Sequence, residues 1–409
     1  MLTEIATTME IRASFPALQR LQEGQPVAYF DGPGGTQVPR AVVDAMSDYL
    51  LNHNANTHWA YQTSRETDDI IANARQALAD FLNATPDEII FGQNMTTLTL
   101  HLARTLGRRW QAGDEIIVTE LDHHANIDTW RSLETERGIV LRHLPFDPES
   151  GQLELAQLPA LINEKTKLLA IGAASNALGT ISDVAAACRL ARAAGVLTFV
   201  DAVHYAPHNL VDVQLLECDF LACSAYKFYG PHIGILFGRK DLINALDFPK
   251  LRPAPAAAPE KAETGTQNHE AIAGAGAAVD FLASLAPTGT RRERLANVFA
   301  ALHERQRQLV WQLWEGLHLL PGVRVYGPPP TAPRTSTISF TVAGFTAEDV
   351  VEQLSERGLY LSNGDFYAMT VVERLGLTET GLVRAGCACY TTEEEIARLL
   401  VGVKSLAKK

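Results

Sequence analysis

Between about residues 84 and 240, short β-rich runs alternate with helical patterns, and that alternation restricts the chain to a mainly parallel sheet joined by crossover helices. Strands are expected over 88–92, 115–119, 167–172, 197–200, 219–223 and 234–238, with a helix over 182–194 capped by Ser182. A length of 409 residues exceeds one ordinary core and suits two or three domains. The stretch 251–261 carries Pro253, Pro255 and Pro259, whose missing amide donors and fixed φ angles favour a loop or hinge. Beyond it, 292–316 reads as a long amphipathic helix leading to a smaller α+β region. That region has strands near 335–342 and 383–390 and a helix near 347–357, so a second domain is expected from about residue 285.

Charge and cysteine content narrow the function classes. Lys and Arg number 35 against 47 Asp and Glu, a net charge of −12, so the surface repels phosphate backbones and anionic lipid heads. Neither a nucleic acid nor a membrane is expected as partner. The start, Met1-Leu2-Thr3-Glu4-Ile5, lacks the basic-then-apolar pattern of a secretory signal, and no run has the ~18 to 20 apolar residues of a membrane helix, so a cytoplasmic protein is expected. The five cysteines (Cys188, Cys218, Cys223, Cys387, Cys389) are odd in number and mostly lie in apolar runs, which suits reduced core thiols.

Ligands of parallel α/β sheets bind at the carboxyl ends of the strands, so polar residues just after separate strands can converge. Here those residues are Asp122-His123-His124, Ser175-Asn176, Asp201 to His204, and Ser224-Ala225-Tyr226-Lys227. Lys227 follows an apolar strand among aromatic residues, where desolvation favours the neutral amine that can attack an aldehyde. Asp201 is the kind of carboxylate that keeps a pyridine nitrogen protonated. Taken singly, each has a plainer role, Lys227 as a strand-end lysine reaching for water and Asp201 as a helix cap. Together on successive strands they point to pyridoxal phosphate.

His123 can then stack on the ring, and Asn176 and His204 can bond its phenolic oxygen. Asn94-Met95-Thr96-Thr97, at a helix start, offers amides and hydroxyls for the phosphate, with Ser224 and Tyr226 as further candidates. No metal is expected, because adjacent residues such as Asp122, His123 and His124 cannot easily share one ion. Asp31-Gly32-Pro33-Gly34-Gly35 lacks the Lys-Ser/Thr of a P-loop and reads as a tight turn near the site. Gly274-Ala275-Gly276 has no preceding strand and reads as close helix packing.

These stretches, with Gly265-Thr266 and the segment from Arg384 to Glu395, resemble the class V aminotransferase family of fold type I pyridoxal-phosphate enzymes, in its cysteine desulfurase-like branch of the SufS type. The resemblance implies an α/β fold: residues 1–24 packing on the small domain, a large domain over 25–284 with a mixed, mostly parallel seven-stranded sheet, and a small α+β domain over 285–409. It implies a homodimer with shared active sites. It assigns the Schiff-base lysine to Lys227, the pyridine partner to Asp201 and the stacking residue to His123. Met95, Thr96, Ser224 and Tyr226 fall to the phosphate, Thr266 to the partner's phosphate, Arg384 to the substrate α-carboxylate, and Asn363 and Tyr367 to the substrate.

The chain departs from the branch at the loop where desulfurases carry Arg-(Ser/Thr)-Gly-x-x-Cys-Ala. Residues 362–368 read Ser-Asn-Gly-Asp-Phe-Tyr-Ala, with Tyr367 where the persulfide-forming cysteine belongs, and a phenol cannot accept sulfur as a thiolate does. Cys387 and Cys389 lie in an expected strand and read as packing residues. Tyr226 and His204 stand where the branch has His and Gln. The expected reaction is C–S lysis or another β-elimination on an amino acid. Transamination, epimerisation or decarboxylation, and a non-catalytic cofactor-binding module are the alternatives.

Overall fold

A computed structural model describes residues 4–407. The first three residues of the expected N-terminal segment and the last two of the expected small domain lie outside this range. Seven strands form the main sheet: β1 (Ile89–Gly92), β2 (Glu115–Thr119), β3 (Val140–Leu144), β4 (Thr166–Gly172), β5 (Leu197–Asp201), β6 (Phe220–Ser224) and β7 (Gly234–Gly238). Their order is β1-β7-β6-β5-β4-β2-β3, and β7 alone runs antiparallel to its neighbours. Six of the seven fall within one residue of the sequence-based expectation. The seventh, β3, is an edge strand whose Val140 and His143 face solvent, so it lacks the apolar run that marks the others.

Side chains alternate across a strand, and here the two faces feed two separate cores. Ile117, Leu169, Ile171, Val200, Leu221 and Ile235 pack into one, whereas Ile116, Val118, Leu168, Phe199, Phe220 and Leu236 pack into the other. Helices cover both. Among them are α1 (Gln62–Leu82), α2 (Met95–Gly107), α3 (Asp128–Arg137), α4 (Val184–Ala193) and α5 (His269–Ser284). The cap of α4 is Asp183 and not Ser182: its carboxylate accepts from the Ala186 amide at 3.0 Å, one residue further along than expected. Gly276 lets α5 approach α1, since a Cβ there would lie 2.8 Å from the Cα of Ala74. Residues 251–259 form no helix or strand.

The smaller domain has an antiparallel sheet of β8 (Val323–Tyr326), β9 (Thr337–Val342), β10 (Ser362–Gly364) and β11 (Leu382–Gly386), in the order β8-β9-β11-β10. Helix α6 (Arg291–His318) joins the two bodies: Leu295, Val298 and Phe299 enter the large core, and Leu309, Leu313 and Leu317 the small one. Two parts of the expected division differ. Ala28 and Tyr29 pair with Leu359 and Tyr360, and Ala28 and Phe30 lie in the small core, although residues from 25 onward were expected in the large domain. The N-terminal segment contacts both bodies. Phe15 packs against Tyr229 and Phe281 as well as Tyr390, while Arg12 pairs with Glu395 at 3.0 Å. No helix among the described residues is long and apolar enough to cross a membrane.

Strand β7 lies directly beneath the start of α2, and a Cβ at Gly234 would collide with the backbone of Asn94. Gly234→Ala should therefore lower stability by about 1–3 kcal/mol through overpacking, read by urea unfolding. An unchanged midpoint would show that the contact yields freely.

Candidate active site

The carboxyl ends of β2, β4, β5 and β6 and the start of α2 open on one cavity of about 760 Å³. Met95, Thr96, His123, Asn176, Asp201, His204, Ser224, Tyr226, Lys227, Tyr367 and Arg384 all line it. Two expected site residues do not. Asn363 on β10 faces solvent, and its neighbour Ser362 contacts Arg384 instead, because alternation along a strand sends adjacent side chains to opposite faces. Thr266 lies in a second cavity of this chain, beside Thr57, His58 and Lys250.

Lys227 sits in a short turn after β6 and is buried. Its amine donates to the carbonyls of Pro33 and Gly34, the latter at 3.0 Å. The turn at 31–35 that supplies these carbonyls closes on itself, with the Gly34 amide donating to Asp31 at 2.7 Å. No carboxylate among the described residues pairs with Lys227 within salt-bridge distance. Burial pushes its pKa down to about 7, with the Arg384 charge adding to the shift and Asp201 and Asp31 opposing it. At neutral pH a large fraction is the free amine.

Asp201 ends β5, in register with Ala222 on β6 and Gly172 on β4. Burial drives its pKa up to about 6, against the pull of the Val203 amide, which donates at 2.9 Å, and of Lys227. Asp122, which also lines the cavity, takes bonds from the Gly172 amide at 2.9 Å and from Asn126 at 2.7 Å. Its pKa is raised to about 7, mainly by burial, with Asp201 contributing. The sequence placed this second carboxyl among the strand-end residues that can converge, without a role of its own. The Gly172 contact, which depends on strand register, is what fixes it.

His123 is held by its edge. Its Nδ1 accepts from the Ala125 amide at 2.9 Å, and burial first, then the Lys227, His124 and Arg384 charges, lower its pKa to about 4. The ring is neutral at physiological pH. His204 places Nε2 within 3.1 Å of the hydroxyls of both Thr335 and Thr337 on the small-domain side, and burial lowers its pKa well below the usual histidine range. Arg384, on β11, donates to the Asn176 carbonyl at 3.0 Å and the Ser362 hydroxyl at 3.3 Å, and lies 4.0 Å over the Phe366 ring.

The residues present fit pyridoxal phosphate. A buried amine and a buried carboxyl lack ion-pair partners among the described residues, and Asn176 Oδ1, His204 Nδ1 and Arg384 Nε are buried without hydrogen bonds. The start of α2 adds an anion seat, where Asn94 caps Thr97 at 2.9 Å and the Met95 amide points to Ser224 Oγ at 3.3 Å. Together the sheet order and these groups define a fold type I pyridoxal-phosphate enzyme.

The family profile "Aminotransferase class-V" matches residues 28–399, and the chain belongs to that family. It is 35% identical over 412 aligned positions to a cysteine desulfurase of Pectobacterium atrosepticum, covering 97% of each chain. It is 33% identical to a probable cysteine desulfurase of Synechocystis, covering 97% of this chain and 94% of that one. Among solved structures it resembles the apo cysteine desulfurase of Thermococcus onnurineus, with a TM-score of 0.89, 28% identity and 99% of each chain covered. A cysteine desulfurase of Escherichia coli gives a TM-score of 0.86 at 28% identity and the same coverage.

A carboxyl whose folded pKa is raised binds its proton more tightly in the folded chain. Its contribution to stability is therefore present below the unfolded pKa and lost as pH rises through about 6. Asp201→Asn should stabilise the cofactor-free protein by about 1–3 kcal/mol at about pH 8 and by almost nothing at about pH 3.5. Urea unfolding at both pH values reads this, and an equal effect at the two contradicts the assigned burial.

Proposed function

We propose that the chain is a pyridoxal-phosphate lyase that eliminates a leaving group, a sulfur group by the likeness to its relatives, from Cβ of an amino acid. It does so without passing sulfur to a cysteine of its own. The single observation that carries the second half is the state of the thiols. All five are buried, and burial raises the pKa of each, to about 12 for Cys188, Cys387 and Cys389. None is a thiolate at physiological pH, and the loop over 362–368 carries a tyrosine and no cysteine.

The site's own residues supply the remaining parts. Arg384 keeps a free Nε and a guanidinium suited to the substrate α-carboxylate. When bound, the cofactor supplies an electron-withdrawing cationic ring that weakens the bonds at Cα. Asp201 would hold the proton on the ring nitrogen. Lys227, poised near neutrality, would take the proton from the substrate Cα and return a proton later. Neutral His123 would stack on the cofactor ring and keep water from it. The α-proton and the Cβ leaving group are lost from the substrate, so a cysteine-like substrate and one water yield pyruvate, ammonia and hydrogen sulfide or a thiol.

The reading extends to a homodimer in a reducing, cytoplasmic compartment. Five unbonded thiols and the exposed Leu50, Leu51, Trp59 and Leu251 support it.

The test incubates the cofactor-loaded protein with cysteine, S-substituted cysteines and other common amino acids and identifies products. Pyruvate with sulfide or thiol is expected. Alanine with protein-bound persulfide would refute the reading, and a keto acid with pyridoxamine phosphate would replace it by transamination. Lys227→Ala should remove the visible cofactor absorption and lower kcat by at least about 10³-fold. The double variant Cys387→Ser, Cys389→Ser should keep kcat within about twofold, and loss of turnover in a folded variant would restore a thiol role.

A further inference from the structure

The loop above the cavity holds two adjacent non-glycine residues in the left-handed region, Phe366 at φ 57° and Tyr367 at φ 58°. Bulky side chains rarely adopt this backbone, and such a pair persists only where its surroundings hold it. The holding contacts are unusual in their targets. The Phe366 carbonyl accepts from Asn176 Nδ2 at 2.9 Å, and the Phe366 ring lies 4.0 Å below the Arg384 guanidinium. The Tyr367 ring stacks on His123 at 5.4 Å and 25°, and its carbonyl accepts from the His124 amide at 2.7 Å. His124 Nε2 reaches Thr370 Oγ1 at 3.3 Å just beyond, and His124 Nδ1 pairs with Asp128 at 2.8 Å. Thus His123, Asn176 and Arg384, three of the groups that converge on the cavity, all rest on two consecutive residues.

We propose that the Phe366–Tyr367 step is the positioning element of this site, with the Tyr367 ring fixing the plane of His123 and Phe366 fixing Asn176 and Arg384. The step takes the place of a reactive loop residue and performs no bond chemistry itself. Tyr367 is 72% exposed, an unfavourable setting for an aromatic ring unless its face has a use. With the Ala125 amide on its edge and Tyr367 on one side, His123 keeps its Nε2 and its opposite side free for the cavity. Among the described residues the phenolic hydroxyl has no hydrogen-bond partner, so the ring and not the oxygen makes the contact.

This inference rests on the proposed function for its meaning, but its test does not. The resonance of His123, identified by its loss in His123→Asn, is followed by NMR of the ring ¹³Cε1–¹H pair as pH is lowered in the full chain, with and without pyridoxal phosphate. The ionisable groups that face it are Lys227, His124, Arg384 and Asp365. Removing the ring should free His123 to water. Tyr367→Ala is expected to raise its midpoint by about one pH unit or more, and Tyr367→Leu to raise it less, since a leucine still keeps part of the ring from water. Tyr367→Phe should restore the wild-type titration.

In the loaded enzyme, Tyr367→Ala should lower kcat about tenfold with KM within about twofold, and Tyr367→Phe should recover it. An unchanged His123 titration in Tyr367→Ala overturns the proposal. A Tyr367→Phe variant as impaired in kcat as the alanine also overturns it, by placing the function in the hydroxyl. If the titrations behave as expected while no amino acid is turned over, the positioning role stands and the lyase reading fails.

Discussion

The arrangement depends on two groups that the fold buries without the partners they need. Lys227 and Asp201 lie at the ends of adjacent parallel strands, removed from water and, among the described residues, hydrogen-bonded only to backbone. An isolated buried charge is costly, and both groups respond by moving toward neutrality, the amine down and the carboxyl up. On the proposed function, a pyridine ring bearing an aldehyde would meet both demands at once, with a nitrogen to share the acid's proton and a carbon for the free amine.

The large sheet was legible because its strands are buried on both faces and read as unbroken apolar runs. Strand β3 was not legible, since an edge strand with Arg142 and His143 facing out looks like loop. The convergence on the cavity was legible from chemistry at the strand ends. It did not require exact boundaries, because the carboxyl ends of parallel strands share one rim. The cap at Asp183 was missed by one residue because Ser182 and Asp183 are equally good cap types in sequence. The pairing of residues 28–29 with 359–360 joins segments more than 300 positions apart, which no local pattern can announce.

The site's misplacements have the same origin. Asn363 and Ser362 differ by one position, and only the pairing of β10 with β11 decides which of them turns toward Arg384. Asp122 was visible as a carboxylate, but its buried place at the cavity wall follows from the contact with Gly172. Phe366 carried no chemical signal at all. Its importance comes from a backbone conformation and from a carbonyl, neither of which is written in its side chain.

The central claim is that Lys227, and no other amine, bonds the cofactor's aldehyde carbon. Borohydride reduction of the protein after loading with pyridoxal phosphate, followed by digestion and peptide mass spectrometry, tests it most directly. The account predicts a stable pyridoxyl adduct on the peptide containing Lys227, at close to one per chain. An adduct on another lysine, or none on a folded and loaded protein, would contradict it.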